Sequence, residues 1–229
     1  MELLPKPAHW ACWATAWLAV PLLATLAASS TAPDVHTLAQ RVDRHYNELH
    51  SLGAQFEEHY QGAGVERTES GVMYLKKPGR MRWEYRSPRE KLFVTDGKIV
   101  WFYVPEERQA RKADFRKIED LKSPLAFLLG KTKLEKELTG LSIASDVKPM
   151  NAANVVLRGV PKMWQGRVSQ VLLEVTPQGQ IDRIVVDEMD GSRTEYRLTE
   201  QHANPELSDR QFFFSPPPGV EIVTGEFGQ

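Results

Sequence analysis

Cysteine is nearly missing from this sequence: Cys12 is the only one among 229 residues, and it lies in an apolar leader. Such a chain has no disulfide framework, no thiolate nucleophile and no cysteine-based metal site in its folded part. A surplus of either charge is also lacking, with 29 Lys and Arg against 30 Asp and Glu and a formal net charge of −1. Nucleic-acid-binding proteins usually carry a strong basic excess, so that class is not expected. The familiar catalytic patterns are missing too: no Gly-x-Ser-x-Gly, no His-Glu-x-x-His and no Gly-x-x-x-x-Gly-Lys occurs. His45 and His50 stand five residues apart, so on a helix they diverge and do not form a metal pair. The adjacent pairs Glu57-Glu58 and Glu106-Glu107 read as charged faces or loops. No enzyme, metal or cofactor is expected.

What is present begins with the leader. No residue from Trp10 to Ala28 is charged; Lys6 precedes this run, and the small residues Ala27-Ala28-Ser29-Ser30 follow it. That order is the anatomy of a cleavable secretory signal. Residues 1–30 are therefore expected to be a signal peptide, and residues 31–229 one secreted domain. His9-Trp10-Ala11 before Cys12 do not provide the small-residue context of a lipidation site. An apolar share of 41% and a charged share of 26% fit a folded, soluble protein.

The period of the apolar residues then assigns elements. Asp34 is placed to cap a helix in which Leu38, Val42, Tyr46 and Leu49 recur at helical spacing up to about Leu52, with Gly53 as its stop. From Ala54 the pattern becomes alternating. Strands are expected at residues 71–76, 80–85, 92–95 and 99–104, with Asp96-Gly97 as a hairpin turn. Ser123-Pro124 starts a short helix, Leu125 to Leu129, that is apolar nearly all round and needs cover on more than one side. Strands return at residues 154–158, 168–176, 181–187 and 194–198. One antiparallel sheet with helices on one face is the economical architecture.

Two features ask for a use. The stretch from Lys76 to Lys91 holds seven basic residues interleaved with Trp83 and Tyr85. Arg80 and Arg82 fall on the strand face opposite Trp83, which does not suit base stacking; contact with anionic headgroups or an acidic partner fits better. The other feature is an excess of large apolar groups on one face: Met81, Trp83, Tyr85, Trp101 and Tyr103. An ordinary core accounts for them, and so does a pocket for flexible acyl chains with the Leu125–Leu129 helix as a movable cover. Composition does not separate the two.

The segments from Ser70 to Tyr85 and from Leu92 to Tyr103, with Pro124–Leu129, Asp190–Tyr196 and Phe212–Val220, resemble in order and spacing the LolA family of periplasmic outer-membrane lipoprotein carriers. The resemblance implies a mainly β, α+β fold: an unclosed, strongly curved antiparallel half-barrel covered by a helical lid and enclosing a hydrophobic cavity. It implies a non-enzymatic periplasmic carrier, expected to be a monomer. Such a carrier receives lipoproteins from an inner-membrane ATP-driven transporter and passes them to an outer-membrane acceptor. Cavity candidates are Met81, Trp83, Tyr85, Leu92, Val94 and Trp101, with Leu52, Phe56 and Leu125 from the helical side. Family members commonly carry Arg before the Pro turn, where it latches the lid. Lys77 stands there in this sequence and keeps the charge without the planar fork. The competing expectations are a periplasmic lipoprotein sensor and an envelope lipid- or glycolipid-binding protein on the same half-barrel.

Overall fold

The computed structural model describes residues 34–115 and 133–225. The expected signal peptide and the Leu125–Leu129 helix lie outside these residues. Asp34 caps helix α1 (Val35–Glu48), its carboxylate accepting from the backbone N–H of His36 and Thr37. The buried residues Leu38, Ala39, Val42 and Tyr46 form one stripe, as their spacing predicts. The helix ends earlier than expected. Leu49 is already extended, and Asn204 Oδ1 accepts from the N–H of His50 and Ser51, which starts a strand there. Gly53 is therefore a strand residue and not a helix stop.

The strands among the described residues are β1 (Ser51–Gly62), β2 (Val65–Lys76), β3 (Arg80–Ser87), β4 (Lys91–Thr95), β5 (Ile99–Val104) and β6 (Gln109–Asp114), then β7 (Leu138–Ile143), β8 (Val155–Pro161), β9 (Val168–Val175), β10 (Ile181–Glu188), β11 (Arg193–Ala203) and β12 (Glu221–Thr224). A helical turn, α2 (Leu134–Glu137), precedes β7. They form one sheet in the order β12-β6-β5-β4-β3-β2-β1-β11-β10-β9-β8-β7, whose two edges do not pair. The result is an open, strongly curved half-barrel. All pairs are antiparallel except β12 with β6, which corrects the fully antiparallel expectation. The parallel pair arises because the chain crosses the sheet between Ala203 and Glu221 and so returns to the edge in the same direction as β6.

The turn between β1 and β2 places Ala63 and Gly64 at positive φ, the conformation that a tight hairpin needs. Gly71 meets a different constraint. A Cβ there would lie 1.9 Å from the backbone O of Glu84, so only glycine permits the β2–β3 approach at this irregular point of the ladder.

Helix α1 covers the inner face of the sheet. Its buried stripe joins Leu52, Phe56, Met73, Leu75, Met81, Trp83, Leu134, Leu173, Ile184 and Leu198 in one apolar cluster. A buried polar contact pins the packing: the Tyr46 hydroxyl accepts from the N–H of Ile181 at 2.9 Å. Burial drives the Tyr46 pKa far up, so the hydroxyl stays neutral. Tyr46→Phe leaves that N–H without a partner and is expected to cost about 1–3 kcal/mol, read as a lower midpoint in urea unfolding with an unchanged slope.

Candidate functional site

Alternation decides which side chains share the inner face. Directly paired residues in a ladder point the same way. Leu52 faces Leu75, Ala54 faces Met73 and Phe56 faces Gly71 across β1 and β2. Leu75 then faces Met81 and Met73 faces Trp83 across β2 and β3. The expected candidates Leu52, Phe56, Met81 and Trp83 are thus brought together, all 5% exposed or less. Leu52 and Phe56 come from strand β1, not from the helical side, because α1 has ended before them. Tyr85 shares their face, its ring centroid 4.9 Å from that of Phe56.

Leu92, Val94 and Trp101 are placed elsewhere. Val94 pairs with Arg82 and with Trp101, and Leu92 pairs with Glu84 and Tyr103, so these side chains occupy the outer face. The inward residues of β4 and β5 include Phe93, opposite Trp83, and Phe102, opposite Phe93, together with Thr95, opposite Met81, and Val100, opposite Thr95. The reason for the shift is that the parity between neighbouring strands is set by the loops joining them. Leu92-Phe93-Val94 is apolar throughout, and both faces of the strand are covered.

The cover on the outer face is the segment after β11. It does not form a strand at Phe212-Phe213-Phe214. Its 3-10 turn, Asp209–Phe212, packs against β3, and Phe212 is 1% exposed. Phe214 lies against Trp101 and Tyr103, with centroids 5.7 and 5.2 Å away. Lys76 Nζ donates to Leu207 O and to Asp209, both at 2.6 Å; Arg80 pairs with Asp209 at 3.3 Å, and Arg82 donates to Gln211 O at 2.9 Å. Arg86 pairs with Glu84, Arg89 with Glu106 and Lys91 with Glu69. The basic stretch is therefore engaged in hydrogen bonds and ion pairs within the molecule.

Lys77 completes that set. Its Nζ donates to the carbonyls of Tyr46 at 2.6 Å and Asn47 at 3.2 Å, placing a cation at the negative end of α1. Burial lowers its pKa. In the described residues Lys77 holds helix to sheet; the lid segment it was expected to latch, with Leu125, lies outside them.

Toward the β1–β2 turn the inner face becomes polar, which the sequence reading missed. Glu58 and Glu69 stand directly opposite each other, 7% and 3% exposed. Two carboxylates so placed repel unless cations and donors intervene. Lys91 bonds Glu69, Arg67 lies 3.1 Å from Glu69 and 3.9 Å from Glu58, and Tyr85 Oη donates to Glu58 at 2.9 Å. Burial outweighs these partners at Glu58 and raises its pKa; burial also raises that of Tyr85. Adjacency alone makes the Glu57-Glu58 pair a charged face or a loop. Pairing Glu58 with the alternation of Leu52, Ala54 and Phe56 places it inward, and that was the available signal.

Because a raised carboxylate pKa favours protonation in the folded state, Glu58 destabilises the fold most at pH above that pKa. The penalty fades as pH falls toward the ordinary carboxylate range. Glu58→Gln keeps an acceptor for Tyr85, and it is expected to unfold at a higher temperature than the wild type at pH 7. The gap between the two proteins should narrow on acidification through the raised pKa, as followed by thermal unfolding in a pH series.

Residues 47–215 match the family model described as outer membrane lipoprotein carrier protein LolA. An outer-membrane lipoprotein carrier protein from Erwinia tasmaniensis is 30% identical over 207 residues, covering 88% of this chain and 93% of its own length. One from Sodalis glossinidius is 29% identical over 201 residues, covering 87% and 92%. An uncharacterized conserved protein from Thermus thermophilus shares the fold, with a TM-score of 0.53 at 14% identity over 82% of this chain and 98% of that one.

Proposed function

We propose, from the premise that this chain belongs to the LolA family, that it binds the acyl chains of lipoproteins on its apolar inner face and carries them through the periplasm from the inner to the outer membrane. The observation that carries this reading is the inner face itself. Leu52, Phe56, Met73, Leu75, Met81 and Trp83 line up from three adjacent strands, with Phe93 beside them. Each buried methylene gains about 0.8 kcal/mol, so a long chain is held without a specific polar contact. Met73 and Met81 contribute side chains that adapt to a flexible ligand.

Carriage needs reversible binding. When the groups that cover the inner face leave and acyl chains replace them, similar apolar area is buried before and after. The free-energy difference between the two forms then stays small, and a modest differential affinity at either membrane sets the direction of transfer. On this reading the source is an ATP-driven transporter of the inner membrane and the recipient is an acceptor at the outer membrane. The protein needs no cofactor for either exchange.

Native mass spectrometry of the secreted chain with a triacylated lipoprotein is the test. A one-to-one complex is expected with the lipidated protein and none with its unacylated form. Transfer of that complex's cargo to isolated outer membranes is expected to follow. Phe93→Asp, at a half-buried position, is expected to lose the complex while keeping its far-ultraviolet dichroism. Equal binding of acylated and unacylated forms would overturn the reading.

A further inference from the structure

Trp83 carries a donor that the described residues leave unused. The residue is 2% exposed, and its indole Nε1 has no hydrogen-bond partner among the described residues. Buried N–H groups without acceptors are rare, because each bears its full desolvation cost. If volume alone were required on the inner face, a phenyl or aliphatic side chain would supply it without that cost. Tryptophan adds a single directional donor.

The position of that donor is informative. On one side of Trp83 the inner face is mainly apolar: Met81 precedes it on β3, Met73 faces it from β2 and Leu75 lies beyond, with the hydroxyl of Thr95, opposite Met81, accepting from the N–H of Gly97. On the other side, Tyr85 begins the polar end, with its hydroxyl on Glu58. Phe56 and Tyr196 flank the indole, with centroids 4.6 and 6.2 Å away. Trp83 therefore sits where apolar side chains give way to polar ones. An acylated molecule has the same order of parts: an alkyl chain, then a carbonyl oxygen that accepts and cannot donate, then a polar head.

We propose that the Trp83 indole N–H donates a hydrogen bond to the carbonyl oxygen of an ester- or amide-linked acyl chain, so that the inner face recognises the acyl linkage and not hydrocarbon alone. This rests on the carrier reading and names the group of the acyl chain, its linking carbonyl, that the reading leaves without a partner. It gives bound cargo a fixed depth, with the alkyl chain along Met73, Leu75 and Met81 and the head toward Glu58 and Tyr85. Hydrocarbon lacking the carbonyl would bind the same face without that depth being set.

The test uses two synthetic lipopeptides with a free N-terminal amine and a glyceryl-thioether cysteine. One carries two ester-linked hexadecanoyl chains, the other two ether-linked hexadecyl chains. Each is titrated calorimetrically against the wild type and against Trp83→3-benzothienylalanine, which replaces the N–H by sulfur at nearly constant shape. The variant is expected to bind the ester probe roughly threefold to tenfold more weakly and the ether probe unchanged. With carbon-13 at the ester carbonyl, its infrared stretch is expected at lower frequency when bound to wild type than when bound to the variant. Equal affinity of both proteins for the ester probe, with the same carbonyl frequency in each, overturns the proposal and leaves the carrier reading standing. Failure of both probes to bind wild-type protein overturns the carrier reading as well.

Discussion

An unclosed sheet has to find cover for a face that a closed barrel would bury against itself, and this protein depends on α1 to provide much of it. The stripe Leu38, Val42 and Tyr46 enters the same apolar cluster as residues from β1, β2, β3 and the β8–β11 side. Two polar contacts keep it in register. The Tyr46 hydroxyl accepts from Ile181 near one end of the helix's contact with the sheet, and Lys77 Nζ caps the carbonyls of Tyr46 and Asn47. Apolar packing gives the strength of the contact, and the hydrogen bonds give it a single arrangement, since a buried donor without a partner is costly.

The helix and the alternation of β3 were legible because each shows only one period. Leu38, Val42 and Tyr46 fit a helix and nothing else; Met81, Trp83 and Tyr85 fit a strand and nothing else. The junction between α1 and β1 was not legible for the opposite reason. Leu49, Leu52 and Phe56 continue a helical spacing by coincidence, while Leu52, Ala54 and Phe56 also alternate, and the choice is made by Asn204, more than 150 residues away in sequence. The face of β4 and β5 was hidden in a further way. Parity passes from strand to strand through the loops, and a run such as Leu92-Phe93-Val94, apolar on both faces, gives no internal sign of which side is which. The cover that explains it, Phe212 and Phe214, comes from the distant end of the chain.

The polar end of the inner face has a place in the same scheme. Glu58 and Glu69 are held by Lys91, Arg67 and Tyr85 in a network with no formal net charge when every charged group is ionised. Such a network is weak support for stability, because desolvation offsets much of its attraction. It does set a boundary on an inner face that is otherwise mainly apolar.

The segment after β11 has a mechanical meaning. It leaves the centre of the sheet at Ala203, is fastened to β2 and β3 through Asp209 and Gln211 and to β5 through Phe214, and ends paired with β6. A strip of fixed length attached at several points along the convex side goes taut when the sheet tries to curl further. It therefore sets a lower limit on the radius of the half-barrel. Rolling of the walls inward beyond that radius is opposed from outside, much as a tie on the outside of an arch keeps its span.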